Sequence, residues 1–193
     1  MADVSAPAVG QAVRLTATVT SAAGTPTGTV IFHDGNTLLG TADLNTAGQA
    51  LLPTIFHYAI PHNLSAVYNG SPAFATSQSP ALRVTVSPDP TTTTLTASAN
   101  PVRVGQTLVL TVKVNPAFTG AGAPTGTIIL KDGNTTIGTA TLDASGRAVF
   151  RFIAGRSLGN GGLPRGKHHL TVSYLGDGAF AASVSTALDL TVG

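Results

Sequence analysis

Val13, Leu15, Ala17 and Val19 alternate with Arg14, Thr16 and Thr18, and much later Leu108, Leu110, Val112 and Val114 alternate with Val109, Thr111 and Lys113. A period of two puts successive side chains on opposite faces, so both stretches predict strands with one buried face. The correspondence continues along the chain. Gly28–His33 reads like Gly126–Lys131, Leu38–Leu44 like Ile137–Leu142, Leu64–Tyr68 like Leu170–Tyr174, and Leu82–Val86 like Leu188–Val192. Asp34-Gly35 and Asp132-Gly133 supply residues that tolerate positive φ where a hairpin needs them. Asn45–Gly48 and Asp143–Gly146 make the following turn. Ala148, Phe150 and Phe152 then alternate with Val149 and Arg151. In the first copy Ala50 and Leu52 keep that pattern until Pro53, which predicts an edge strand broken early. No window carries a helical period behind an N-cap.

Two copies of one module account for this pattern. Gly24-Thr-Pro-Thr-Gly-Thr-Val-Ile-Phe-His-Asp-Gly-Asn36 returns as Gly122-Ala-Pro-Thr-Gly-Thr-Ile-Ile-Leu-Lys-Asp-Gly-Asn134. The chain of 193 residues is therefore expected to form two domains of about 90–100 residues each. Their bounds are 1–88 and 89–193, with 87–91 as linker, because Pro88 and Pro90 favour an extended path there. The short strands and regular turn signals predict all-β antiparallel β-sandwiches, with a small barrel as the competing architecture. Repetition points to spacing, reaching or binding rather than to one unique site. One element is not shared. Thr92–Ala97 reads as the first strand of the second copy, and its counterpart falls before or at Met1. The first domain is thus expected to have a truncated first strand, or to take that strand from a neighbour across an open sheet edge.

Composition narrows the classes. Only 9% of residues are charged and 42% are hydrophobic, yet no apolar run approaches the ~20 residues of a spanning helix. Membrane insertion is not expected, and neither is disorder, since apolar residues are plentiful and ordered. The absence of cysteine removes disulfides, thiolate metal sites and a thiol nucleophile. Met1–Ser5 has neither a basic region nor an apolar run, so no signal peptide is read in this segment. The net charge of +2 lies mostly in the second copy. It is too sparse, and the aromatics too few, for nucleic-acid binding.

Polar chemistry is thin. His33, His57, His62, His168 and His169 are the candidate metal ligands. His168 and His169 are adjacent and must face opposite sides of a strand, while His57 and His62 read as a pair without a counterpart in the second copy, so no zinc set converges. Calcium needs several carboxylates, and only Asp89 and Asp177 are suggestive. No nucleophile elbow, no paired carboxylates and no ordered relation of Ser and His to Asp predict catalysis. Lys–Asn crosslinking is impossible in the first copy, which has no lysine. Sugar stacking would fall to Tyr58, since Tyr68 and Tyr174 read as core. No cofactor is expected. The second copy has a longer, glycine-rich connection at 153–169 carrying Arg156, Arg165 and Lys167. These three are the candidate ligand-binding residues, since amides in such a loop can cradle an anion. The bland alternative is a mobile surface loop.

The runs Pro26–Gly35, Leu39–Leu44 and Tyr68–Gly70, matched by Pro124–Gly133, Ile137–Leu142 and Tyr174–Asp177, resemble a bacterial immunoglobulin-like repeat domain. The resemblance spans almost the whole chain. It implies two tandem immunoglobulin-like antiparallel β-sandwiches and an extracellular or cell-surface location. It also implies, as partners, the other domains of a longer parent chain. The function it favours is a non-catalytic spacer or stalk. The alternatives are an adhesin-type module that binds a protein or glycan through its loops, and a fibre subunit that self-assembles by strand donation.

Overall fold

Alternating stretches become strands in the computed structural model, which describes residues 6–193. The chain divides into two units, Met1–Pro88 and Asp89–Gly193. The first holds β1 (Ala12–Thr18), β2 (Thr29–Asp34), β3 (Thr37–Asp43), β4 (Gln49–Ile55), β5 (Pro61–Tyr68), β6 (Ser77–Gln78) and β7 (Leu82–Thr85). The second holds β8 (Thr91–Ala97), β9 (Thr107–Pro116), β10 (Thr127–Asp132), β11 (Thr135–Thr141) and β12 (Arg147–Ala154). It continues with β13 (Gly162–Leu163), β14 (Gly166–Tyr174), β15 (Ser183–Val184) and β16 (Leu188–Val192).

Each unit is a sandwich of two sheets. In the first, β3-β2-β5 form one sheet, with β6 and β7 both pairing the far side of β5, and β1-β4 form the other. In the second, β11-β10-β14 carry β15 and β16 in the same way, and the opposing sheet runs β13-β12-β9-β8. The hairpins β2–β3 and β10–β11 carry the same register shift, after Phe32 and after Leu130. Gly35 and Gly133 take φ of 55° and 53° at their turns, a left-handed backbone that glycine adopts without steric cost.

The core follows the alternation. Leu108, Leu110, Val112 and Val114 of β9 face Ile128 and Leu130 of β10, Phe150 and Phe152 of β12, and Val172 and Tyr174 of β14, all buried. Burying a side chain of this size contributes about 1.5–3 kcal/mol. Val13, Leu15, Val30, Phe32, Leu64 and Tyr68 do the same in the first unit.

Two expectations need correction. β4 does not stop at Pro53; it pairs Arg14 with Pro53 and runs on to Ile55. Among the described residues β4 has a strand on one side only, so the proline sits where its missing N–H costs no ladder bond. The 153–169 connection is not an open surface loop, because β13 pairs in parallel with Ile153 and Ala154 of β12 and Leu163 is fully buried. At the join, Ser87 N–H donates to Pro7 O at 3.0 Å within the first unit, and Asp89 N–H donates to Ala179 O at 2.8 Å within the second.

The sheet holding β1 is two-stranded among the described residues, whereas its counterpart in the second unit has four strands. The counterpart of β8 in the first copy falls before or at Met1, outside the described residues.

Candidate functional site

Each Asp-Gly hairpin ends β2 or β10 with its carboxylate turned toward the next strand of the sheet. Asp34 Oδ2 lies 2.5 Å from His62 Nδ1, and Asp34 Oδ1 accepts the Asn63 N–H at 2.9 Å. In the second unit Asp132 Oδ2 lies 2.6 Å from His168 Nδ1, and Asp132 Oδ1 accepts the His169 N–H at 2.9 Å. Both histidines are buried. His62 and His168 are therefore the same position in the two copies, which corrects the reading of His62 as unmatched. The longer 153–169 connection displaces His168 in sequence and hides the equivalence.

These pairs are ordered His–Asp relations, but their geometry is that of a latch. A catalytic dyad would turn Nε2 toward a nucleophile. Here Nε2 of His168 faces Pro164 O at 2.9 Å, and Nε2 of His62 faces Tyr58 O at 3.4 Å. The ring of His62 also packs on Phe56, with centroids 4.4 Å apart. Each pair ties a hairpin to the incoming strand and to the preceding loop. His169 points to the other face, as adjacent strand residues must, and its Nδ1 lies 2.6 Å from Asp189 Oδ1 in an exposed pair.

The two calcium candidates face their own loops. Asp89 is fully buried, and its carboxylate accepts the N–H groups of Ala117 and Phe118 at 3.1–3.3 Å. Asp177 accepts the Thr125 hydroxyl at 2.6 Å and the N–H groups of Ala179 and Phe180 at 2.8 and 2.9 Å. Burial pushes the Asp177 carboxyl up, but these hydrogen bonds, with that of the Thr125 N–H, outweigh it and hold the group below its usual range. A depressed carboxyl stabilises the fold above the unfolded value of about 3.9 and loses that contribution as pH falls through the lower folded value. Ser71 occupies this place in the first unit. Acidification from pH 7 to pH 2 is thus expected to narrow the stability gap between the wild type and Asp177→Ser, as read by thermal melts at both pH values.

Tyr68 and Tyr174 are equivalent and buried, as core residues. Tyr68 donates its hydroxyl to Thr27 O at 2.6 Å. The Tyr174 hydroxyl is buried and meets no partner at full hydrogen-bond geometry among the described residues; burial, then the nearby Asp177 charge and a weak contact with that carboxylate, push its phenol well above the usual value. Tyr68→Phe is expected to cost about 1 kcal/mol. Tyr174→Phe removes an orphan hydroxyl and should be neutral or stabilising, so paired urea titrations will give opposite ranks.

Arg156, Arg165 and Lys167 are all exposed but sit on different pieces of the connection. Arg156 precedes a short 3-10 turn at Leu158–Asn160, Arg165 follows Pro164, and Lys167 lies on β14 opposite Thr191. Lys167 shares a shallow depression with Asn100, His169 and Asp189. Tyr58 is exposed beside His62. Sequence reasoning missed the Asp34 and Asp132 latches; the signal available was the Asp of each hairpin turn, read there only as a turn residue.

Two stacked sheets of this topology define an immunoglobulin-like β-sandwich, repeated twice. The chain belongs to the bacterial Ig-like domain (group 3) family, whose sequence profile matches residues 2–87 and 95–193. Among solved structures it is similar to the fibronectin(III)-like modules of Clostridium thermocellum CbhA, at 20% identity and TM-score 0.36, covering 97% of this chain and 87% of that one. The D0-D1 domain of intimin matches at 15% identity and TM-score 0.36, covering 98% and 96%. The Yersinia pseudotuberculosis adhesin InvE matches at 17% identity and TM-score 0.44, covering all of this chain and 57% of that one. Comparison with curated proteins gives no match.

Proposed function

We propose that the chain is a non-catalytic structural spacer within a secreted or cell-surface bacterial protein, joined to other domains of a longer polypeptide. One observation carries this reading. The ordered polar groups shared by both copies, Asp34–His62 and Asp132–His168, tie strands to one another and leave no reacting atom facing a free space. What repetition has preserved is therefore fold. A spacer needs units that hold their strands by long-range pairing, set at a fixed interval by a short, proline-restricted join.

The second reading is an adhesin-type module, favoured by exposed Arg156, Arg165 and Lys167, which lie on a connection that is longer than its counterpart in the first copy. Deleting this connection would remove Leu163 from the core, so the informative variant is Arg156→Ser with Arg165→Ser and Lys167→Ser. Heparin serves as the acidic-glycan probe at physiological salt. The spacer reading expects no retention of the wild type. Retention that disappears in the triple variant, with an unchanged melting curve, would replace it by the adhesin reading.

A further inference from the structure

The sheet β13-β12-β9-β8 turns one face to the core and the other to solvent. Strand alternation decides which side chains face outward. On β12 these are Arg147, Val149 and Arg151, all exposed, followed by half-buried Ile153. On β9 they are Val109, Thr111 and Lys113, all half-buried, and on β8 they are Thr92, Thr94 and Thr96, all exposed. The register sets Lys113 between Arg147 and Thr94, Thr111 between Val149 and Thr96, and Val109 opposite Arg151.

Arg147, Arg151 and Lys113 thus share one face, and the strands of this sheet carry no Asp or Glu. Asp143, just before β12, attracts Arg147 but is turned onto its own turn. Its Oδ1 accepts the Ser145 and Arg147 N–H groups at 2.8 and 3.0 Å and the Ser145 hydroxyl at 2.7 Å. The Lys113 ammonium donates to Ser145 O. Like charges directly opposite each other, as Lys113 and Arg147 are, weaken a sheet, so folding alone gives no reason to place them here. The first copy avoids the arrangement. Thr18, Gln49, Leu51 and Pro53 hold the places of Lys113, Arg147, Val149 and Arg151, and Arg14 holds that of Val109.

We propose that this face docks an extended acidic segment of a partner protein, of the pattern acid-x-apolar-x-acid. Arg147 and Arg151 are four residues apart on one strand, a span of ~13 Å. An extended peptide carries its first and fifth side chains on one side at that same interval. Their carboxylates meet the forked guanidinium donors, and the third side chain falls on Val149, which is 46% exposed. Lys113, directly opposite Arg147, adds charge to the same carboxylate's site. A valine flanked by arginines is the anatomy of a protein-binding patch, an apolar centre with a charged rim. A nucleic acid or acidic glycan would leave Val149 unused, and the outward residues include no aromatic for bases to stack on. The inference goes beyond the spacer reading, since it adds a docking face to the second unit.

The test uses the whole chain and the end-capped synthetic peptide Ser-Glu-Ser-Leu-Ser-Glu-Ser, followed by amide and methyl NMR shifts at low salt. The face predicts shifts centred on Val109, Thr111 and Val149, fading as salt rises to about 0.15 M. Arg147→Gln with Arg151→Gln changes two exposed positions and should weaken binding about tenfold. Arg83→Gln with Arg103→Gln removes the same charge from exposed positions elsewhere and should leave binding unchanged. Val149→Thr should weaken it about threefold. Peptides with Gln for Glu, or Ser for Leu, should lose affinity for the wild type, a comparison that needs no altered protein. No shifts at millimolar peptide, or equal losses in the two double variants, would overturn the proposal. Indifference to both Val149→Thr and the Ser-for-Leu peptide would also overturn it, marking a surface for polyanions in general.

Discussion

Asp132→Ala is expected to lower the stability of the second unit by about 3 kcal/mol, because it leaves a buried imidazole and a backbone N–H without their acceptor. The carboxylate holds His168 Nδ1 at 2.6 Å and the His169 N–H at 2.9 Å, so one truncation breaks both. Asp132→Asn separates charge from shape. The amide oxygen can still accept the His169 N–H while the amide nitrogen donates to Nδ1. The ring must then carry its proton on Nε2, where Pro164 O accepts it. The cost should fall to about 1 kcal/mol, and nitrogen NMR of the imidazole should report Nδ1 as unprotonated. Urea titration of both variants checks the ranking. Equal losses for Ala and Asn would mean that the latch acts only through filling space.

Leu110→Ala is expected to cost about 3–5 kcal/mol, since Leu110 is fully buried between close-packed sheets and its loss leaves a cavity. Its counterpart Leu15 is also buried but borders a groove. Side chains beside a groove can shift into the space, so Leu15→Ala should cost less, about 2–3 kcal/mol. The comparison isolates the consequence of the groove, because the two leucines hold the same place on the same strand.

Most of the sandwich was legible because its signals are local. Alternation through Val13–Val19 and Leu108–Val114 marks both the strand and its buried face within seven consecutive residues. The Asp-Gly pairs mark the hairpins. Elements of two residues could not be read this way: Ser77–Gln78, Gly162–Leu163 and Ser183–Val184 are too short to carry a period. β13 also hides in a glycine-rich run, where Leu163 is the single apolar clue to a strand that closes one edge. The latches were invisible for a different reason. Asp34 and His62 lie far apart in sequence and meet only because β2 pairs with β5. Asp132 and His168 are further apart still, so no fixed spacing links the two pairs. Calcium at Asp89 or Asp177 was a fair expectation from composition. The folded loops turn those carboxylates onto backbone donors, a use that sequence alone does not distinguish from metal ligation.

Pulling a single chain from its two ends tests the central claim, that this protein is two separately folded copies of one mechanical unit. The account predicts two discrete unfolding events. Their released lengths should match Met1–Pro88 and Asp89–Gly193 at about 3.6 Å per residue, with the second unit, closed by β8 and β13, yielding at the higher force. A single cooperative event spanning the whole chain, or a smooth extension without events, would contradict it.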